Sequence, residues 1–284
     1  MTEQTQCRTR TTARPARRSL GEGVRSSAEL AIAIFMCVLL SACAGTDPYK
    51  RLEPAPTSDA ATSAHGAFNR RWPTQFKAVQ TVTIDFRITT RTLVGYLIVQ
   101  GHDRFRLQGM TEQGIKLFDI VGDGDQSHVL FAAEEFDPRV IENIARDIRR
   151  VFLLESLDVG SGVRYRTTLG ETGDVLVALP ARVMSEGDNG ATVEFSGPQG
   201  QLRSHIVGKP PRVDWYDFRR DDRSLFRVDH YEWQDLEGVF VPTTMVLRER
   251  GVQSDGPPYK LTVKLTELTV RDEPWPDSVF EAGD

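Results

Sequence analysis

The sequence predicts a mainly β fold, in which a curved antiparallel sheet carries one amphipathic helix on its concave face. Short segments of alternating apolar and polar residues follow one another from Val82 to Phe131, with turn residues between them. A stretch with helical spacing of apolar residues then follows Pro138, and strand-like segments resume and continue to Val270. An isolated amphipathic helix needs an apolar surface to lie on, and the concave side of a curved sheet offers one.

The first strands are close together in the sequence, which indicates an antiparallel meander. Leu93–Gln100 is apolar on both faces, so both of its sides must be covered. The turn residues Gly122-Asp123-Gly124-Asp125 predict a hairpin. The strands predicted in this part are Val82–Ile88, Leu93–Gln100, Arg104–Leu107, Ile115–Val121 and His128–Phe131.

The helix is predicted to begin at Asp137-Pro138, with Asp as N-cap and Pro at the first helical position. Its apolar face comprises Val140, Ile141, Ile144, Ile148, Val151 and Phe152, and its polar face Glu142, Asn143, Arg146, Asp147 and Arg150. Two interpretations are open at this point: the helix packs as part of the core, or it forms a lid over a ligand cavity.

The second half of the chain predicts a loop at Gly160–Asp174 and then further strands. No repeating period is visible, which argues against a propeller or a solenoid. The strands predicted here are Val175–Leu179, Thr192–Phe195, Leu202–Val207, Val213–Phe218, Leu225–Trp233, Val239–Glu249 and Tyr259–Val270.

The N-terminal segment predicts export. Six arginines lie within Met1–Ala28, and a short apolar run follows in Glu29–Cys43. Its last residues, Leu40-Ser41-Ala42-Cys43, resemble the lipobox of bacterial lipoproteins. The resemblance implies that residues 1–42 are a signal peptide and that Cys43 is acylated as the first mature residue. An ordinary secretory signal or a buried helix is the alternative, and the Arg17-Arg18 pair leaves the export route open between the Sec and twin-arginine systems.

Removal of residues 1–42 takes away six arginines, three glutamates and two of the three cysteines. The net charge then changes from −5 to −8, and no basic run remains to bind nucleic acid. One cysteine remains, so no internal disulfide can form.

Residues 43–75 are rich in Ala, Ser, Thr and Pro, which predicts a flexible tether reaching roughly 30 Å from the membrane. The folded domain is then predicted at 76–284. Ala44 stands where an aspartate would retain an enteric lipoprotein, so the resemblance implies the outer membrane, facing the periplasm.

Three segments near the C-terminus carry a family resemblance: Tyr231–Asp235, Gly238–Pro242 leading into Met245–Leu247, and Leu261–Val270 followed by Pro276 and Phe280. They resemble the C-terminal half of the lipoprotein-localisation family of periplasmic carriers and outer-membrane receptors. The resemblance implies an unclosed antiparallel β-barrel (a half-barrel) whose hydrophobic concavity is covered by helices. It also implies binding of an acyl chain, a lipoprotein or another apolar ligand. None of the family's functional side chains is matched residue by residue.

Seven residues are candidates for the lining of such a cavity: Phe86, Tyr96, Ile98, Phe105, Leu107, Ile144 and Ile148. The alternation alone does not fix which side of each strand faces inward, because a slip of one residue in register exchanges the two faces. The alternative is an assembly lipoprotein with a packed interior that binds another envelope protein.

Motifs for catalysis are absent from the sequence. The five histidines are scattered without metal-ligand spacing, and neither a GxSxG nor a Walker motif occurs. Asp123-Gly124-Asp125 lacks the other ligands of a calcium loop, and the pairs Glu134-Glu135 and Asp221-Asp222 lie in polar surroundings. The sequence therefore predicts a binding protein with no metal or cofactor, rather than an enzyme.

Overall fold

Twelve antiparallel strands form a single sheet in the computed structural model, and that sheet is not closed. The structure describes residues 47–69, 71–86, 88–101, 103–124, 126–134, 138–153, 181–197, 200–236, 239–250 and 258–281. The strands are β1 Gln75–Asp85, β2 Thr90–Gln100, β3 Arg104–Met110, β4 Lys116–Asp123, β5 Gln126–Ala132, β6 Ala181–Gly187, β7 Gly190–Gly197, β8 Gly200–Val207, β9 Arg212–Arg220, β10 Arg223–Leu236, β11 Val239–Glu249 and β12 Tyr259–Val270.

The sheet consists of two meanders joined by the first and last strands. Its order is β5-β4-β3-β2-β1-β12-β11-β10-β9-β8-β7-β6, so every neighbour is consecutive in sequence except the pair β1 and β12. In that pair Val82 lies opposite Val263. Residues far apart in the chain therefore share the middle of the concave face.

Two cross-strand pairs place an aromatic ring over a glycine on this face. Gly109 lies opposite Phe118, and a Cβ atom added to Gly109 would fall 2.1 Å from the ring. Gly122 lies opposite Phe105, where the corresponding distance is 2.0 Å. Both glycines are required because the rings occupy the space that a side chain would need.

Within the described ranges, two α-helices lie on the sheet. Helix α1 spans Ala60–Asn69 and packs on β6 to β9, and helix α2 spans Pro138–Ile148 and lies beside β4 and β5. A π-helical turn, Arg149–Leu153, continues α2, and a 3-10 turn occupies Asp277–Val279. No helix in the described ranges combines the length and apolar character needed to cross a membrane.

The mainly β fold, the unclosed antiparallel sheet and the helix after Pro138 confirm the predicted fold class. Strand β6 was not predicted, and Ile88 lies beyond the end of β1 with 94% of its surface exposed. The predicted strand Val175–Leu179, the loop Gly160–Asp174, the signal segment 1–42 and Cys43 lie outside the described residues.

The predicted tether is wrong for its described part beyond Pro48. Residues from Tyr49 onward belong to the same compact unit as the sheet. Helix α1 buries Ala64 and Phe68 in the core, where the Phe68 ring meets the rings of Phe195 and Tyr216 at 5.7 and 5.9 Å. Arg51 pairs with buried Asp229 at 2.7 Å. Alanines made this segment resemble a linker, but small side chains also let a helix approach a sheet closely.

We expect Ala64→Asp to lower the free energy of unfolding by several kcal/mol, because Ala64 is fully buried and the new carboxylate would have no partner there. Ala61→Asp, at a half-buried position of the same helix, is the matched control and should cost much less. Urea denaturation measures both. Equal, small effects would mean that α1 is not part of the core.

Candidate functional site

An apolar cavity lies between α2 and the concave face of the first meander. Its volume is about 140 Å³, and part of it is open to solvent. The lining comes from strands β1 to β4, from β12 and from one face of α2. The apolar residues that line it are Val82, Ile84, Phe86, Leu93, Val94, Leu107, Phe118, Val140, Ile144, Ile148, Leu261 and Val263.

Four of the seven residues predicted to line a cavity lie in it: Phe86, Leu107, Ile144 and Ile148. Phe105 lies on the same face of β3 as Leu107, but it is fully buried over Gly122, outside the cavity lining.

The prediction that Tyr96 and Ile98 line the cavity is wrong, because the structure places both residues on the outer face of the sheet. Tyr96 lies opposite Gln108 and Ile98 opposite Arg106, and 45% of the surface of Tyr96 is exposed. Gln108 and Arg106 donate hydrogen bonds to Asp119 on that face. The inward residues of β2 are instead Leu93, Gly95 and Leu97, one step out of phase with the predicted set.

The cavity opens at one end of β1. Phe86 and Val140 line the opening, with 40% and 39% of their surfaces exposed. The Phe86 ring lies 6.2 Å from the ring of Tyr259. From this opening the cavity follows β1 inward past Ile84 and Val82.

Gln80 is the polar group at the inner end of the β1 lining. Its side chain is fully buried, and neither amide atom has a hydrogen-bond partner among the described residues. A buried polar group left without a partner costs about 1–3 kcal/mol. The buried amide therefore lowers the stability of the fold unless something in the cavity bonds to it.

A second polar group, Asp147, lies where α2 faces the cavity. Tyr259 donates a hydrogen bond to its carboxylate, and the Arg150 guanidinium lies 3.6 Å away. Burial raises the pKa of Asp147 from 3.8 to about 6, although Arg150, Tyr259 and Arg146 act in the opposite direction. Burial likewise raises the pKa of Tyr259.

The π-helical turn fixes the C-terminal end of α2. Arg150 forms a buried ion pair with Glu249 of β11, and Tyr216 donates a hydrogen bond to the Arg150 carbonyl. Arg149 instead contacts the first meander, where its Nε donates a hydrogen bond to the carbonyl of Gly124, between β4 and β5, at 3.0 Å. Arg71, just after α1, donates to the Phe152 carbonyl at 3.2 Å. π-helical turns are rare and frequently lie at functional sites.

The sequence interpretation missed Gln80, Asn143 and Asp147, all of which line the cavity. The signal for Gln80 was available, because it precedes Val82, Ile84 and Phe86 on the same face of β1. Asn143 and Asp147 were assigned to the polar face of α2. The helix instead presents positions 140, 143, 144, 147 and 148 to the cavity, so its covered stripe is wider than the apolar one. Within the described ranges, no cluster of three or more His, Cys, Asp or Glu residues could hold a metal ion.

No protein-family model and no curated protein sequence matches the chain. Among solved structures, a LolA superfamily protein from Nitrosomonas europaea matches 79% of this chain and 98% of its own, at 13% identity and a TM-score of 0.50. A DUF1329 family protein from Desulfovibrio piger covers 80% and 98% at 10% identity and a TM-score of 0.47. An outer membrane lipoprotein-sorting protein domain from Vibrio parahaemolyticus covers 77% and 95% at 9% identity and a TM-score of 0.48.

The first of these likenesses shows the fold of the chain, which is that of a LolA-like protein. The family resemblance predicted from the C-terminal strands is thereby confirmed at the level of fold.

We expect Asp147→Asn to gain stability relative to the wild type as the pH rises from 4 to 6. The folded-state pKa of about 6 exceeds the ordinary value of 3.8, so the folded state holds the proton more tightly and the wild type loses stability across this range. The shift corresponds to roughly 3 kcal/mol as an upper bound.

Urea denaturation of both proteins at several pH values measures this difference. Burial lowers the pKa of His230 to about 3, which gives the opposite pH dependence, but His230 is present in both proteins and cancels. A difference in stability that does not change between pH 4 and 7 would contradict the buried, raised-pKa carboxylate.

Proposed function

We propose that this chain is a lipid-anchored protein of the cell envelope that holds an acyl chain, the acyl part of a lipoprotein or another apolar ligand in the cavity beneath α2. The observation that carries the proposal is the cavity itself. Its walls are apolar along β1, from Phe86 at the opening to Val82 within, and the opposite wall is a helix that crosses it as a lid. The LolA-like fold supports this function as an analogy of architecture.

The size of the cavity suits this role. A cavity of about 150 Å³ takes a ligand the size of benzene, so the space beneath α2, about 140 Å³, already accepts part of an alkyl chain. Sites for larger ligands measure roughly 300–1,000 Å³. An outward movement of the N-terminal half of α2 would supply the difference, while the π-helical turn keeps the C-terminal end in place.

The proposed anchor is Cys43, acylated after removal of residues 1–42. Each buried methylene contributes about 0.8 kcal/mol to membrane attachment, so several acyl chains hold a protein at the membrane where one does not. The LolA-like fold, together with the lipobox-like Leu40–Cys43, supports the envelope as the location and the outer membrane, facing the periplasm, as the site of attachment.

The second candidate is an assembly protein whose interior is filled by its own side chains and which binds another envelope protein. The second meander favours it, because α1 fills the concave face there with Ala60, Ala64, Ala67 and Phe68. The cavity beneath α2 favours the ligand-binding function for the first meander.

We expect Leu107→Trp to weaken binding of a fluorescent fatty-acid probe at least tenfold, which is about 1.4 kcal/mol, because the larger ring occupies the cavity. Its effect on the free energy of unfolding should be small, since the ring enters empty space. Probe titration and urea denaturation of the same samples provide the two values.

Ile98→Trp, on the outer face of the neighbouring strand, is the matched control and should bind the probe as the wild type does. The assembly function predicts a different pattern. A wild type without probe binding, together with a loss of about 1–3 kcal/mol of stability in Leu107→Trp, would show that the interior is filled.

We expect Cys43→Ala to move the protein from the membrane fraction to the soluble envelope fraction, because the acylated thiol is the proposed attachment. Fractionation followed by a salt wash measures the distribution. The Ser41→Ala variant, which keeps the cysteine and a small residue before it, should remain with the membrane. A Cys43→Ala protein that stays in the washed membrane would exclude the lipid anchor.

A further inference from the structure

The buried amide of Gln80 indicates which kind of apolar ligand the cavity takes. Gln80 lines the cavity, its side chain has no exposed surface, and both its Oε1 and Nε2 atoms lack hydrogen-bond partners among the described residues. Toward the opening, the lining residues Val82 and Ile84 of β1 and Phe86 just after it are apolar. A buried amide in such surroundings is satisfied only by a water molecule or a ligand group that enters the cavity.

The sheet is built to hold this amide in place. The register between β1 and β12 shifts between Val79 and Gln80, and such bulges re-aim a side chain. Across the other neighbour, Gln80 lies opposite Gly95 of β2. A Cβ atom on Gly95 would lie 2.9 Å from both Cγ and Nε2 of Gln80, so glycine leaves the space that the amide occupies.

The position of Gln80 determines which end of a ligand meets it. Gln80 lies in β1 and Phe86 directly follows the last residue of that strand, so the six-residue separation corresponds to roughly 20 Å of extended chain. Phe86 lies at the opening, so Gln80 lies at the far end. A ligand that enters tail first would therefore present the end of its tail, and not its head group, to the amide.

The charges along the cavity exclude an ionised group at this end. Of the described residues that line it, only Asp147 and Tyr259 can ionise, and both can contribute only negative charge. No lysine, arginine or histidine belongs to this described lining. A carboxylate brought to Gln80 would lose its hydration without gaining a cation.

A hydroxyl matches the amide better than a carbonyl does. The Gln80 amide presents an acceptor, Oε1, and a donor, Nε2, and a hydroxyl can donate to the first while accepting from the second. A carbonyl oxygen satisfies only the donor. We propose that Gln80 is a polar anchor that selects lipids with an uncharged hydroxyl at the buried end of the chain, that is, ω-hydroxylated acyl chains. This inference rests on the proposed function, since it assigns the ligand class of the same cavity.

The test compares methyl palmitate with its ω-hydroxy derivative as competitors of a fluorescent alkyl probe, on the full chain carrying Cys43→Ala. We expect the hydroxylated ester to displace the probe about tenfold better from this protein, because it satisfies the buried amide. When Gln80→Leu is combined with Cys43→Ala, this preference should disappear or reverse, because the hydroxyl would then be buried without a partner. Gln80→Met serves as a second variant if Gln80→Leu does not fold.

The control Gln108→Leu removes a glutamine from the outer face and should keep the tenfold preference. Two results would overturn the inference while leaving the proposed function intact. One is equal displacement of the probe by the two esters in the Cys43→Ala protein that retains Gln80. The other is a preference for the hydroxylated ester that persists in both Gln80→Leu and Gln80→Met. A protein that binds neither the probe nor either ester would overturn both.

Discussion

The attachment of α2 at its C-terminal end is the constraint on which the concave face depends. The π-helical turn directs two consecutive arginines to different parts of the sheet, with Arg149 at the turn between β4 and β5 and Arg150 at Glu249 of β11. Removing one partner of a buried ion pair costs about 3–5 kcal/mol, since the other charge is left without compensation. The Arg150 guanidinium also lies 4.3 Å above the Phe226 ring, which ties the turn to β10 as well. The turn therefore joins the two meanders that β1 and β12 connect through their backbones.

This attachment divides the concave face into two regions with different properties. Over β6 to β9, helix α1 fills the surface with small and aromatic side chains, and Trp72 then packs 5.1 Å from the Phe152 ring of the π-helical turn. Over β1 to β4 and β12, helix α2 stands far enough from the sheet to leave the cavity. A fixed C-terminal end and a partly exposed N-terminal residue, Val140, fit a helix that opens from one end.

The sequence predicted the architecture because backbone patterns repeat along the chain. The alternation in β1 to β5, the chain reversal after Asp123 and the helical spacing after Pro138 are all regular sequence patterns, and the structure agrees with them. Helix α1 was missed since its buried face consists mostly of alanine, which also occurs in linkers. Tyr96 and Ile98 were misplaced because alternation gives two faces without saying which is inward. The sequence does not reveal the roles of Gln80 and Asp147, because their surroundings come from other strands. Gln80 lies between Gly95 of β2 and strand β12, and Asp147 accepts a hydrogen bond from Tyr259.

Native mass spectrometry of residues 49–284, produced in a bacterial host and purified without detergent, shows directly whether the protein carries an apolar ligand. Residues from Tyr49 onward form one compact unit, so this piece carries the described lining of the cavity together with α1 and α2. We expect a population with a lipid-sized mass addition that is released by collisional activation and that becomes smaller when Leu107→Trp fills the cavity. A single mass equal to that of the polypeptide, together with no uptake when lipid extract is added, would contradict the claim that the cavity beneath α2 binds an apolar ligand.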